Sequence, residues 1–431
     1  MRKSFHSLEH RKQCNQTDWC SPMTILFGFP RETGCAMRLV ILFVLLVAAS
    51  PAMSRYQRVD LEQVPVARLI ENLEKISREN PTSAEAWLNL GRAHGMAYAQ
   101  KTDPLTVPKA YHGIEPPAVP FHSVKVAADP TQDPAAKAHL EAALKSYRQA
   151  LELNKDDLIV RIGLAWLTEQ AGRKDEAVKQ YRAIAADAWE KEKDLEFVGL
   201  GEQTISAEVA SYLIPLLDAE KEKHEIETLK DRTATLGKKL PHSVTPIALP
   251  LADGPTATDL EAPDARVTFD VNGSGLGREW SWITPKAAWL VYDAKGEGNI
   301  TSGRQLFGNV TFLMFWSNGY APLAALDDNR DGALTGQELA NLALWHDANG
   351  NGVADPGEVK PLSAFGIVAV SCKWQTLVDH QDKIAFSPTG VTFQDGKTRP
   401  TYDLVLKPEP LPALASNSTP IANWKSLEAN P

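Results

Sequence analysis

The chain has 431 residues, 43% of them hydrophobic, with a formal net charge of -9 and a pI near 5.7. That length accommodates two or three independently cored units, and the apolar content is ample to fill them. The acidic balance leaves no basic face to neutralise phosphates and argues against a nucleic-acid partner.

Residues 1–54 are read as an upstream extension followed by a secretion signal at about 37–54. Met37-Arg38 precedes an apolar run from Leu39 to Ala49, and small residues continue to Ser54. The run is short for a membrane span and fits export. Met1 and Met37 are both candidate starts, and the signal could be cleaved or serve as an anchor. Cys14, Cys20 and Cys35 precede the end of that signal. Cys372 alone would survive processing, inside the apolar run Ile367–Cys372, so no internal disulfide or thiolate cage is expected.

Residues 60–239 are helical in composition and repeat. Ala143, Tyr147 and Ala150 recur thirty-four positions later as Ala177, Tyr181 and Ile184. Thirty-four is the tetratricopeptide period, and the region resembles that family, with Trp87, Leu90 and Gly91 at first-helix spacing. The resemblance implies stacked helix pairs whose free concave surface binds a protein or peptide. Residues 101–134 interrupt the pattern with seven prolines and are read as an extended insertion, with Tyr111, His112 and Phe121 as candidate contacts. Ala207–Leu217 and Lys221–Leu236 are expected as a further helix pair, the first shortened by Pro215. Residues 240–265, punctuated by prolines, are read as a linker.

Residues 266–407 carry the strongest signal. Two twelve-residue stretches fit the calcium-loop pattern D-x-[DN]-x-[DN]-G-x5-E. A hard divalent cation takes six to eight oxygens, supplied from positions one, three, five, seven, nine and twelve, with glycine at six for the turn. In the first loop these are Asp327, Asn329, Asp331, the Ala333 carbonyl, Thr335 and Glu338. In the second they are Asp347, Asn349, Asn351, the Val353 carbonyl, Asp355 through a water, and Glu358. Thr335 with Glu338, and Asp355-Pro356 with Glu358, also read as helix starts. The stretch resembles the EF-hand family.

Two decayed copies precede these loops. Asp270, Asn272, Ser274 and Gly275 reach Ser281 at position twelve, while Asp293, Glu297 and Gly298 have Lys295 at three and Arg304 at twelve. Both are read as turns that have lost the ion. Taken together, Phe269–Cys372 is similar to calcium-binding segments of secreted bacterial proteins related to the repeats-in-toxin group, which implies calcium binding and export.

Only eight residues, Leu339–His346, separate the two complete loops. One short apolar helix of about 12 Å would have to leave the first and enter the second. Such a pair could not swing open as a sensor does, so any ions would act as structural staples. Beyond Val370 the pattern turns to strands, at Lys383–Ser387, Val391–Gln394 and Tyr402–Leu406, with Asp395-Gly396 as a hairpin turn. Residues 408–431 are read as a flexible tail.

Catalytic and cofactor patterns are missing from the sequence. There is no H-E-x-x-H, no paired Cys/His spacing, no phosphate loop, no dinucleotide glycine pattern and no G-x-S-x-G. Trp280, Trp282, Trp289, Trp316, Trp345 and Trp374 fall in the C-terminal unit and are assigned to core packing. The expectation is a mainly α protein: a helical repeat domain, then an α+β unit with tandem EF-hand-type loops and a small antiparallel sheet. Its expected function is non-enzymatic calcium binding by an exported interaction protein. A carbohydrate-binding or carbohydrate-processing envelope component and a regulatory calcium sensor are the alternatives.

Overall fold

The computed structural model describes residues 64–102, 133–197, 204–239, 241–273, 277–314, 316–379 and 382–409. The signal at 37–54, Cys14, Cys20 and Cys35, nearly all of the 101–134 insertion, and the tail beyond 409 lie outside the described residues.

Seven helices come first: α1 (Val66–Glu79), α2 (Ala84–Thr102), α3 (Pro134–Leu153), α4 (Leu158–Gln170), α5 (Lys174–Glu192), α6 (Ile205–Leu213) and α7 (Lys223–Leu236). Their starts are written locally. Asp133 accepts from the Ala135 and Ala136 amides with Pro134 at the first turn, and Asp157 and Thr204 cap α4 and α6 in the same way. The thirty-four-residue repeat marks core positions: Ala143, Tyr147 and Ala150, and then Ala177, Tyr181 and Ile184, are all buried. Tyr147 wedges between α2 and α4, where a Cβ on Gly91 would lie 2.6 Å, and on Gly163 2.2 Å, from its ring. Only glycine lets both backbones close on that ring. Pro215 ends α6 in a 3-10 turn at Ile214–Leu216, as its missing N–H requires.

The second half is built on β1 (Ile247–Pro250), α8 (Ala257–Leu260), β2 (Glu261–Phe269), β3 (Arg278–Ile283), β4 (Ala287–Tyr292), α9 (Tyr320–Ala324), β5 (Ala333–Thr335), β6 (Leu342–Trp345), β7 (Val359–Pro361), β8 (Ile367–Ser371), β9 (Gln375–Asp379), β10 (Asp382–Phe393) and β11 (Thr398–Asp403). Nine strands form one curled antiparallel sheet in the order β5-β8-β10-β11-β1-β4-β6-β7, with β9 also on β10, while β2 and β3 make a separate hairpin. The mainly α expectation is therefore corrected, because a half-barrel sheet organises the C-terminal region. Residues 240–265, read as a linker, carry β1, α8 and the start of β2. The Asp395-Gly396 turn joins β10 to β11, with Gly396 at φ +80°.

The central strands are apolar on both faces, which is why they read as unbroken hydrophobic runs rather than alternating ones. Period two then sorts their side chains. Leu249, Ala288, Leu290, Tyr292, Leu342 and Leu344 enter a core shared with Leu69, Leu73, Leu90 and Met96 of α1 and α2. Their neighbours Ala248, Trp289, Val291, Ala343 and Trp345 enter a second core with Phe269, Trp280 and Trp282 from the β2–β3 hairpin. A third core belongs to the helices alone, around Tyr147, Trp166, Tyr181 and Tyr212.

The expected helix between the loops is also corrected. Gly336–Leu339 forms a 3-10 turn, and Leu342–Trp345 is strand β6, paired with β4 at Leu290↔Leu344 and with β7 at Leu344↔Lys360. Asn341 at φ +68° breaks any helical continuation. The strand itself is buried, with Leu342, Leu344 and Trp345 at most 2% exposed.

Candidate metal centre

Both complete loops fold into the same hydrogen-bond frame. Position one accepts from the amide of position six: Asp327 Oδ2 from Gly332 at 2.9 Å, and Asp347 Oδ2 from Gly352 at 2.8 Å. Position three accepts from five, Asn329 from Asp331 at 2.9 Å and Asn349 from Asn351 at 3.0 Å. Position five accepts from seven, Asp331 from Ala333 at 2.9 Å and Asn351 from Val353 at 2.7 Å. The closing glutamate bridges the loop. Glu338 takes the amides of Asp328 (2.8 Å) and Thr335 (3.0 Å), and Glu358 those of Ala348 (3.0 Å) and Asp355 (3.2 Å). Thr335 and Glu338 complete the capping box read from the sequence. The glycine at six has φ +90° in the first loop and +71° in the second, a region that L side chains rarely enter.

Five oxygen-bearing side chains thus stand at the ligand positions of each loop, most of them accepting amides of the loop itself. Asp327, Glu338 and Asp347 are 4%, 6% and 3% exposed, yet they accept from N–H groups, and among the described residues no Lys or Arg forms an ion pair with any of the six ligand-position carboxylates. Charged residues at other loop positions are paired: Asp328 with Arg68 at 2.8 Å, and Arg330 with Glu79. Burial alone raises the Asp328 carboxyl, but the bonds from Arg68 and Asn72 outweigh it and hold it below the usual carboxylate value. Buried carboxylates without a counter-charge are costly, so these inward positions suit a cation.

The second loop shows what stands in that role. Asn349 Nδ2 and Asn351 Nδ2 both donate to Asp355 Oδ2, at 2.8 and 3.0 Å, so neutral amide hydrogens face the carboxylate. In this arrangement no three His, Cys, Asp or Glu side chains among the described residues gather into a ready-made cage. The donor chemistry fits a hard cation, being all oxygen: Asp327, Asn329, Asp331, the Ala333 carbonyl, Thr335 and Glu338 in one loop, and Asp347, Asn349, Asn351, the Val353 carbonyl, Asp355 and Glu358 in the other.

The two loops differ in what surrounds them. The first is flanked by Leu326 and contains Leu334, both fully buried in the core shared with α1 and α2. From α1, Arg68 donates to Asp328 and to the Leu326 carbonyl at 2.5 Å, and Asn72 to the Ala325 carbonyl at 3.1 Å and to Asp328 at 2.7 Å. The second loop faces the tryptophan core instead. Trp282 Nε1 donates to Asp347 Oδ2 at 2.8 Å, and Trp345 Nε1 lies 3.4 Å from Glu358 Oε2. Sequence reasoning missed Arg68, Asn72 and Trp282 because each acts across 65 residues or more, with no local pattern to announce it.

The decayed copies survive as turns. Asp293 still accepts from Glu297 at 3.2 Å and Gly298 at 2.9 Å, but Arg304, at its position twelve, reaches away to the Gly273 carbonyl at 2.8 Å. Asp270 accepts from Ser302 Oγ at 2.6 Å. Residues 274–276, including Ser274 and Gly275, lie outside the described residues. Among the six tryptophans, all but Trp374 are buried, in keeping with core packing.

Comparison with known proteins corrects two of the three resemblances drawn from the sequence, to the EF-hand and tetratricopeptide families. Residues 251–407 match the SPM domain, and neither the EF-hand nor the tetratricopeptide family is matched. The chain is also similar to "Iron-regulated protein FrpA" of Neisseria meningitidis serogroup C, at 27% identity over 197 residues. That alignment covers 44% of this chain and 18% of the relative, so the chain spans under a fifth of that protein's length. Among the described residues no helix is long and apolar enough to cross a membrane.

Proposed function

We propose that this is an exported, non-catalytic protein that binds calcium in the loops 327–338 and 347–358, where the ions brace the C-terminal sheet while the helical half engages a protein or peptide partner. The observation that carries this reading is the pair of loops with one hydrogen-bond frame, whose ligand-position carboxylates, several of them buried, accept from neutral N–H groups and, among the described residues, form no ion pair with Lys or Arg. Calcium would supply the missing positive charge and draw in the Asn and carbonyl oxygens. The apolar run after Met37 supports export, and exposed Leu153, Leu195 and Phe197 on the helical half support a partner surface.

A structural role is favoured over a sensing one because each loop exits into a short turn and a paired strand, with no long helix free to swing. A sugar-stacking platform loses its support because five of the six C-terminal tryptophans are buried. Calorimetric titration of the full chain with calcium tests the proposal. Two sites are expected, in the range of about 0.1 to 1 mM that serves extracellular modules. Absence of heat, or heat unchanged in the Glu338→Gln/Glu358→Gln double variant, overturns it.

A further inference from the structure

Loop one and helix α1 are joined in a way that the metal reading alone does not require. Every position of the loop whose side chain turns away from the candidate cation, and that carries a charge near α1, is used to hold that helix: Asp328 at position two by Arg68 and Asn72, and Arg330 at position four by Glu79. The chain immediately before the loop offers the Ala325 and Leu326 carbonyls to the same two α1 side chains. Arg330 makes this pair from a left-handed backbone conformation, φ +64°, within the loop. Beneath the polar contacts, Leu69 and Leu73 of α1 share a core with Leu326 and Leu334, which flank and lie within the loop.

We infer that the first loop is a cation-set latch between the helical half and the sheet: an ion bound at Asp327, Asp331 and Glu338 fixes the backbone at positions two to four, and so fixes the seat of α1. The inference rests on the calcium reading of that loop and adds a consequence confined to it. Among the described residues the second loop has no such tie to α1, its neighbours including Trp282 and Val267 of the β2–β3 hairpin. An ion in the first loop lowers the freedom of Asp328 and Arg330, and α1 then docks at a smaller entropy cost; by reciprocity, a docked α1 tightens the ion. For an exported chain the consequence is directional: the shared core joins the halves in any case, and the α1 seat is held most tightly where calcium is plentiful.

Hydrogen exchange on the full chain, in millimolar calcium and in chelator, with calorimetry on the same samples, tests the latch. Amides of residues 66–79 are expected to exchange about tenfold faster in chelator, as local opening is no longer opposed by the ion. Glu338→Gln should show the fast rate in both conditions, while Glu358→Gln keeps the calcium response. The Arg68→Ala/Arg330→Ala variant retains both ligand sets and should bind calcium with α1 exchange now indifferent to it. Calcium heat with unchanged exchange in residues 66–79, or an equal loss of response in Glu338→Gln and Glu358→Gln, overturns the latch while leaving calcium binding in place. No calcium heat at all overturns both.

Discussion

The two loops are near copies in backbone and opposites in setting. Each closes the same five amide-to-side-chain bonds, yet loop 327–338 is set into the core shared by helices and sheet, and loop 347–358 into the tryptophan core behind the sheet. The frame depends on residues within twelve positions of one another; the setting depends on partners 65 to 260 residues away. Keeping the frame while changing the setting lets one ion chemistry brace two different joints.

The sharpest way to separate them is to remove one closing glutamate at a time. Glu338→Gln and Glu358→Gln should each cost about 3 kcal/mol in millimolar calcium, combining lost ion linkage with weaker acceptance of loop amides. The difference lies in where the loss appears. Glu358→Gln should perturb near-ultraviolet circular dichroism from the packed Trp282–Trp345 pair, whose rings stand 5.6 Å apart, and Glu338→Gln should leave that signal intact. Equal spectral changes would mean that the two settings are not independent.

A smaller effect comes from the glycines at position six. Both hold positive φ, so alanine is strained at either by about 1 kcal/mol. At Gly352 the new methyl would also meet Val267 Cβ at 2.9 Å, and Val267 is buried at 3% exposure; at Gly332 it meets only the far end of Lys373. Thermal unfolding should therefore show Gly352→Ala losing about 2 kcal/mol and Gly332→Ala about half of that.

Trp282→Phe probes the setting of the second loop directly. It keeps an aromatic ring in the core and deletes the donor to Asp347, which should cost about 1.5 kcal/mol beyond the volume change. Because the indole orients a ligand-position carboxylate, calcium affinity of that loop should fall about tenfold. Titration should resolve this as one weakened site and one unchanged.

The same division separates what the chain writes locally from what it does not. The loop positions could be read because residue type at fixed spacing encodes them: aspartate and asparagine for inward oxygens, glycine where φ turns positive. The helix caps at Asp133, Asp157 and Thr204 are local in the same sense. The segment leaving the first loop was not legible. The run Leu339–Trp345 is apolar without a period that separates a buried helix from a strand covered on both faces, and its partner Leu290 lies 54 positions away from Leu344. The left-handed Asn341 that breaks the run is the kind of single-residue conformation that a pattern of apolar residues does not show. The same limit applies to β1, whose four residues sit among prolines yet pair with β4 and β11 near the middle of the sheet.

The weakest expected effect is also the most specific to the first loop. Arg68→Ala deletes an ion pair in which the arginine side chain is 23% and Asp328 50% exposed, and pairs so open to solvent contribute about 0.5 kcal/mol. Global stability should hardly move. The Leu326 carbonyl, however, loses its side-chain donor beside a fully buried residue, so the loss concentrates at the α1 seat and not across the sheet. Native-state proteolysis should cut earlier within residues 66–80 and nowhere near Trp282. A uniform rise in cutting would mean that Arg68 supports the fold at large, and that the first loop is no more tied to the helices than the second.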